Sequence, residues 1–407
     1  MFKAPEFVRL RDVCASLYLT TRSASEDAAA LETGLEFALS HALDSLGLPG
    51  RPSPADRHLA LPAGVAAARL HAAFQRRKGR RLYLCPLDKA DSLPDLTFGP
   101  NRIARFTAVE LEKLVDLPRL RRISSAWAFD ARRFSQFMWL TIEKTYSRER
   151  APSQRAIPWL FEPPVWPGAI EPHRRWFPIA VENALLAMLL APWEDWTVWR
   201  ALDWRGFEMP WVYEIDDDLF VRPLPPPSPD SLSWEPPALD DDGEEVSGTE
   251  EPERRALVPG AEVSAWLNES RWTDAARALQ SPLFETPIAH FFVKTFLEDP
   301  LDEFLAHITA IEAALGLQSD YRRGATKLVA QRVATLLGEQ DAGRIYHDLF
   351  NLRCAFLHGR NMDTISSEQR IGARRLARRV VDALARAVPT LPQGQSREDF
   401  LNNLWPR

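Results

Sequence analysis

From Gly260 onward the chain places its apolar residues at the period of an α-helix four times in succession, which narrows its fold more than any other feature. Phe304, Leu305, Ile308, Ile311 and Leu315 mark the first helix, with Gly316 as its stop. Leu328, Val329, Val333, Leu336 and Leu337 mark the second, stopped by Gly338. Ile345, Leu349, Leu352 and Phe356 mark the third. Ile371, Leu376, Val380, Val381 and Leu384 mark the fourth, which is rich in arginine and ends near Pro389. Amphipathic helices joined by short connections bury their apolar stripes against one another, so residues 260–390 are expected to form a helical bundle, with 391–407 as a C-terminal tail.

Upstream lies a change of character. Pro223, Pro225, Pro226, Pro227, Pro229, Pro236 and Pro237 are followed by Asp240-Asp241-Asp242 and Glu244-Glu245. Proline stiffens a chain and like charges extend it, so 223–259 reads as a linker or exposed loop. An acidic run can also mimic nucleic acid and cover a basic site; the solvated linker is the simpler reading. Residues 1–222 read as an irregular α+β domain, making the chain mainly α overall. Ala24–Leu48 and Ala66–Arg77 fit helices, with a connection over 51–64. Arg81–Leu87 alternates like a strand ending at a proline. Gly99-Pro100-Asn101 is a turn between two short extended pieces of Asp95–Arg105. Thr107 and Glu110 form a capping box. Ser135–Tyr146 fits either strand or helix, and Glu182–Leu190 a buried helix. Met209–Ile215 and Leu219–Leu224 read as strands paired around Asp216-Asp217-Asp218. Nine of the fourteen tryptophans lie between Trp159 and Trp234. Among so many carboxylates and prolines they read as core rather than as a platform for stacking bases.

Composition sets limits on function. Hydrophobic residues at 45% and charged residues at 26% describe a chain with a core, not a disordered one. A net charge of -6 advertises no general affinity for nucleic acid, so any RNA contact must come from a local patch. Cys14, Cys85 and Cys354 are far apart and form no CxxC pair, which argues against a zinc site or a disulfide framework and fits reduced thiols in the cytoplasm. The start of the chain lacks an apolar leader, and the apolar run Ala184–Ala191 is too short to span a bilayer, so a soluble, cytoplasmic chain without membrane contact is expected. Glycine-rich phosphate loops, HExxH and GxSxG are missing from the sequence. His307 and His347 have no second metal ligand at i+4 and read as ordinary; no metal or cofactor is expected.

The third helix carries the chemistry. It ends Leu349-Phe350-Asn351-Leu352-Arg353-Cys354-Ala355-Phe356-Leu357-His358-Gly359. A second stripe, Tyr346, Phe350, Arg353, Leu357, runs beside the first, so a guanidinium stands in an apolar row. Such a group needs an anion, either an internal carboxylate such as Glu312 or a ligand. The two stripes make an arc wide enough to face a core on one side and a partner subunit on the other. His358 follows five residues on, roughly 140° round and ~7.5 Å along an ideal helix, with Gly359 suited to the C′ position. A fixed cation and an imidazole are two things that in-line cleavage of RNA requires: one stabilises charge on phosphorus, the other moves the 2′-hydroxyl proton. By spacing alone the alternative stays open that His358 merely caps the helix while Arg353 pairs with an internal acid.

Residues from about Ile288 to Val388 resemble the Apea-like HEPN family. Three blocks carry the likeness: Phe304–Gly316 with its acidic Glu312, Ala330–Leu337 with its arginine, and Leu349–Gly359 with the Tyr-x-x-Arg-Ser-x-hydrophobic-hydrophobic-His-Gly pattern. Phe350 and Cys354 depart from that pattern at the tyrosine and at the polar residue after the arginine. The resemblance implies a HEPN-like bundle that pairs as a homodimer and cleaves RNA without metal. It implies that Arg353 stabilises the phosphate, His358 transfers protons and Glu312 orients one of them. A toxin or antiviral defence effector follows, with 1–222 sensing a protein or phage-derived trigger; the alternative is a non-catalytic module for RNA, nucleotide or protein binding, or a dimerisation scaffold. In the fourth helix Arg374, Arg375 and Arg378 are helix neighbours, a face that can hold an RNA backbone.

Overall fold

The computed structural model describes residues 8–22, 28–48, 61–90, 93–123, 129–148, 151–161, 176–236, 250–257, 261–322, 324–359 and 364–404. The acidic run 240–245, most of the 51–64 connection and Trp166 lie outside them. The described residues are mainly helical, 59% helix against 12% strand, with a small antiparallel sheet.

Helices α1 (Val8–Arg22), α2 (Ala28–Ser45) and α3 (Ala63–Gln75) come first. Strands β1 (Lys78–Leu87), β2 (Leu96–Phe98) and β3 (Asn101–Arg105) follow, then α4 (Ala108–Leu114), α5 (Leu117–Ile123), α6 (Ala131–Phe134) and β4 (Met138–Ser147). Next come α7 (Pro152–Ala156), α8 (Pro158–Phe161), α9 (Ile179–Leu189), α10 (Trp193–Trp196) and β5 (Tyr213–Asp216), then the short strands β6 (Trp234–Glu235) and β7 (Glu251–Pro252). The remainder is helical: α11 (Ala261–Trp266), α12 (Glu269–Leu279), α13 (Ile288–Lys294), α14 (Pro300–Leu315), α15 (Ala325–Leu337), α16 (Gln340–Leu357), α17 (Ser367–Ala387) and α18 (Arg397–Asn403).

The main sheet has the order β2-β3-β4-β1-β5, antiparallel throughout. Side chains alternate across it. Tyr83, Cys85, Leu87, Ile103, Met138, Leu140 and Ile142 face a core that also takes in α9, α13, α14 and α17. Leu84, Ala104, Trp139 and Tyr213 face a second core with Leu111, Leu117 and Phe134 from α4 to α6. A third core gathers α1, α2 and α3 around Phe220.

Local chemistry accounts for several boundaries. Glu110 Oε2 accepts from the Thr107 amide at 2.8 Å and the Thr107 hydroxyl accepts from the Glu110 amide, the capping box that starts α4. Ser366 and Gln369 do the same for α17. Gly99 turns the β2–β3 hairpin with φ +58°, and its Cα lies so close to the Trp272 indole that an added Cβ would stand 2.0 Å from Nε1. Gly338 ends α15 in the left-handed region. Ser135–Tyr146, open between two readings, is strand β4 over Met138–Ser147. Trp193, Trp196 and Trp204 are core, while Trp176 and Trp199 are exposed.

Four expectations are corrected. Leu219–Leu224 does not pair with the strand before it; β5 pairs with β1, Arg81 opposite Asp216. Asp216 and Asp218 instead accept from the amides of Asp218 and Phe220, 2.9 and 3.1 Å, which bends the chain and delivers Phe220 to the α1–α3 core. The boundary at 223–259 does not separate two cores, because one core runs from the sheet through α9 into α14 and α17. Within that stretch Leu232 is buried, the Ser233 hydroxyl donates to Asp88 at 2.9 Å, and β6 pairs with β7. The tail after residue 390 is docked: Leu401 is buried, and Arg397 donates to the carbonyls of Ala313 and Gly316 at the end of α14, 2.7 and 2.9 Å. Finally, the buried stripe of α16 is Ala342, Tyr346 and Leu349, while Ile345 stays 44% exposed. No helix among the described residues is long and apolar enough to cross a membrane.

Candidate functional site

The end of α16 and the last turn of α14 bring Arg353 and Glu312 together. Arg353 Nη1 lies 3.5 Å from Glu312 Oε2, and the two side chains remain 24% and 34% exposed. A charge-assisted hydrogen bond between such groups runs at about 2.7–2.9 Å, so this is a loose ion pair with donors to spare. The Arg353 guanidinium also lies 5.8 Å from the centre of the Phe350 ring, which holds it from the apolar side. Burial pushes the Glu312 carboxyl above the ordinary carboxylate range, and the Arg353 charge opposes that rise. A carboxyl so displaced exchanges its proton nearer to neutral pH than a surface glutamate does.

Tyr346 supplies the floor. It is fully buried, its hydroxyl has no hydrogen-bond partner among the described residues, and burial together with the Glu312 charge raises its pKa. The phenol is therefore a neutral donor beneath the Arg353–Glu312 pair.

His358 is the C-cap of α16. Its amide donates to Cys354 O at 3.0 Å, and Gly359, at φ +63°, donates to Phe356 O, the helix stop expected from the glycine. The histidine is exposed, as is Leu357 beside it at 52%. Arg353 and His358 thus both reach solvent at one helix end, with Glu312 on the neighbouring helix behind the arginine.

No protein-family model matches the chain, and no curated protein or solved structure is significantly similar to it.

The basic face of α17 is placed elsewhere. Arg374 is wholly buried, donates to Leu189 O at the open C-terminal end of α9, and has Glu194 at 3.7 Å; burial brings it down to about 10. Arg378 is buried and bonds Glu194 Oε1 at 2.7 Å. Only Arg375 reaches solvent, with its side chain 42% exposed, and it pairs with Asp195 at 2.6 Å. The RNA-binding role expected for Arg374, Arg375 and Arg378 is corrected: two of the three are sealed from solvent and all three clamp α17 to α10. The amphipathic spacing of α17 was readable; that Trp193-Glu194-Asp195-Trp196 would meet it was not, because no local pattern links residues some 180 apart.

Two further polar centres escaped the sequence reading. Arg332 is buried and bonds Asp320, Leu315 O and Leu401 O, joining α15 to the end of α14 and to α18. His307 is not ordinary: it is fully buried, 3.8 Å from Glu303, and neither ring nitrogen has a partner among the described residues. His347, by contrast, is half exposed beside Asn351. Among the described residues no group of three or more His, Cys, Asp or Glu is placed to hold a metal ion.

Proposed function

We propose that the chain is a HEPN-type, metal-independent endoribonuclease that acts as a homodimer, a toxin or defence effector in which the N-terminal part senses a trigger or controls access. One observation carries the reading: a loosely paired guanidinium and an exposed imidazole share the C-terminal end of α16. In the reaction His358 takes the 2′-hydroxyl proton, the 2′-oxygen attacks phosphorus, and Arg353 stabilises the charge that develops on the phosphoryl oxygens. The 5′-oxygen leaves with a proton, returned by the imidazolium of either subunit. Glu312 positions Arg353 rather than touching RNA. The uncovered Ile345 and Leu357 on α16 favour a partner copy of the same helix.

A second reading, a non-catalytic RNA-binding module or scaffold, is favoured by the same pair seen differently: Glu312 already supplies Arg353 with an internal anion, and Cys354 replaces the polar neighbour. Cleavage of a labelled RNA by the purified chain in EDTA separates the two. The nuclease requires cleavage, with His358→Ala slowing it by about 10²–10⁴-fold and growth arrest on expression relieved by the same change. Unchanged cleavage in H358A, or RNA binding with no cleavage in the wild type, would overturn it.

A further inference from the structure

A cavity of about 650 Å³ opens between α2, α3, α5 and the end of β4, in the half of the chain for which the sequence indicates no chemistry. That volume suits a small ligand. Arg69, Arg76, Arg119, Arg122 and Arg148 line it, against the two carboxylates Asp116 and Asp217. Asp217 is shared, since Arg76 approaches it at 2.8 Å and Arg148 bonds it as well.

Arg119 is buried and spends its donors on neutral oxygens: Ser45 Oγ at 3.1 Å and the carbonyls of Asp216, Asp218 and Val221 at 2.8, 2.6 and 2.6 Å. These bonds orient the guanidinium and leave its charge uncancelled by direct contact. Arg122 uses Nε on Ser45 O at 3.0 Å, and among the described residues no carboxylate pairs with Arg122 or Arg69. Asp216 and Asp218 lie 3.6 and 3.8 Å from Arg148 and compensate it in part. Even so, Arg148 is 2% exposed and its Nε finds no hydrogen-bond partner among the described residues. A buried N–H left without an acceptor is costly, so the carboxylates present do not fully satisfy the arginines of this wall.

The fork of a guanidinium matches phosphate oxygens two at a time, and several forks around one cavity match a chain of phosphates better than a single carboxylate. We propose that this cavity binds the phosphate chain of a small molecule, of the pyrophosphate kind. The inference stands apart from the ribonuclease reading, because none of its residues belongs to α14 or α16.

Calorimetric titration of the full chain with inorganic pyrophosphate, in metal-free buffer at fixed ionic strength, tests it. Saturable binding is expected, at least tenfold weaker in Arg69→Gln/Arg122→Gln and unchanged in Arg344→Gln, a surface control on α16. Both pocket residues changed are exposed, so the fold is kept, and circular dichroism checks this. Adenosine diphosphate as a second probe separates the sources. Tighter binding than pyrophosphate assigns the rest of the cavity to a nucleoside, and equal binding confines recognition to the phosphates; either upholds the proposal. No saturable binding of pyrophosphate or of adenosine diphosphate, or equal affinity in the double variant, overturns it.

Discussion

At the scale of single residues, Glu312 is where the two readings of the α16 end diverge most sharply. Its carboxyl is raised by burial, so the fold disfavours its ionised form. For an acid of this kind the stabilising contribution is fully present below the unfolded pKa, near 4.3, and is lost as pH rises through the higher folded value. Glu312→Gln should therefore leave stability at neutral pH unchanged or slightly raised. If the ionised carboxylate positions Arg353 for catalysis, cleavage should fall by about tenfold, and the acid limb of the rate profile should become less steep, because only the general base His358 then has to be unprotonated. The two readouts, a denaturant midpoint and a pH–rate profile, distinguish a positioning residue from a filler. An acid limb of unchanged steepness in the variant would remove Glu312 from the mechanism and leave only its contact with Arg353.

At the scale of elements, what was legible in the sequence is what local patterns determine. The four C-terminal helices, the stops at Gly316, Gly338 and Gly359, the hairpin at Gly99 and the Thr107 cap depend on neighbours three or four residues away. What escaped depends on partners that the chain meets only when folded. Arg374 and Arg378 read as a basic face for an RNA backbone because the one acidic residue nearby on the helix, Asp382, is taken by Arg271 and Arg386, and their own partner, Glu194, arrives from the other half of the molecule. The same blindness misplaced the interdomain boundary, since a proline-rich stretch signals stiffness and says nothing about whether the elements on either side share a core. The Arg353–Glu312 contact was legible as a candidate because both residues fall on amphipathic helices at positions that a family resemblance had singled out, whereas the buried Tyr346 hydroxyl below them was not. The clamp makes a quantitative contrast. Glu194→Gln leaves two buried guanidinium groups without their nearest counter-charge and should cost about 3–5 kcal/mol, whereas Asp195→Asn breaks the half-exposed pair with Arg375 and a 4.0 Å approach to Arg378 and should cost less than about 1 kcal/mol. Urea unfolding of the two variants checks the ordering, and similar midpoints would mean that α10 and α17 are not held by this pair.

At the scale of the whole molecule, the shared core implies that the sheet, α9 and the C-terminal helices unfold together, and His307 is the group through which pH acts on that unit. It lies on α14, 3.8 Å from Glu303, with Trp204 and Phe292 rings near it and Arg205, Arg370 and Arg374 as the surrounding charges. Burial and those three cations hold its pKa well below the ordinary value. A base depressed in this way contributes stability that is present above its unfolded pKa of about 6.5 and is lost as pH falls below it, because only the unfolded chain then takes up the proton. Glu303 acts in the opposite sense. Burial raises its carboxyl despite Arg205 at 3.5 Å and Arg370 at 3.3 Å, so the folded chain takes a proton there before the unfolded chain does. The loss on acidification below about pH 6.5 should therefore shrink in His307→Leu, and in Glu303→Gln it should grow over the range in which the raised carboxyl takes up its proton. Because the cluster joins the loop after α10 to α13, α14 and α17, tryptophan fluorescence, weighted to the sheet half, and helical circular dichroism should report one coincident transition at every pH. Two separated transitions, or an unaltered pH dependence in His307→Leu, would mean that the halves are independent and that the buried imidazole carries none of the coupling.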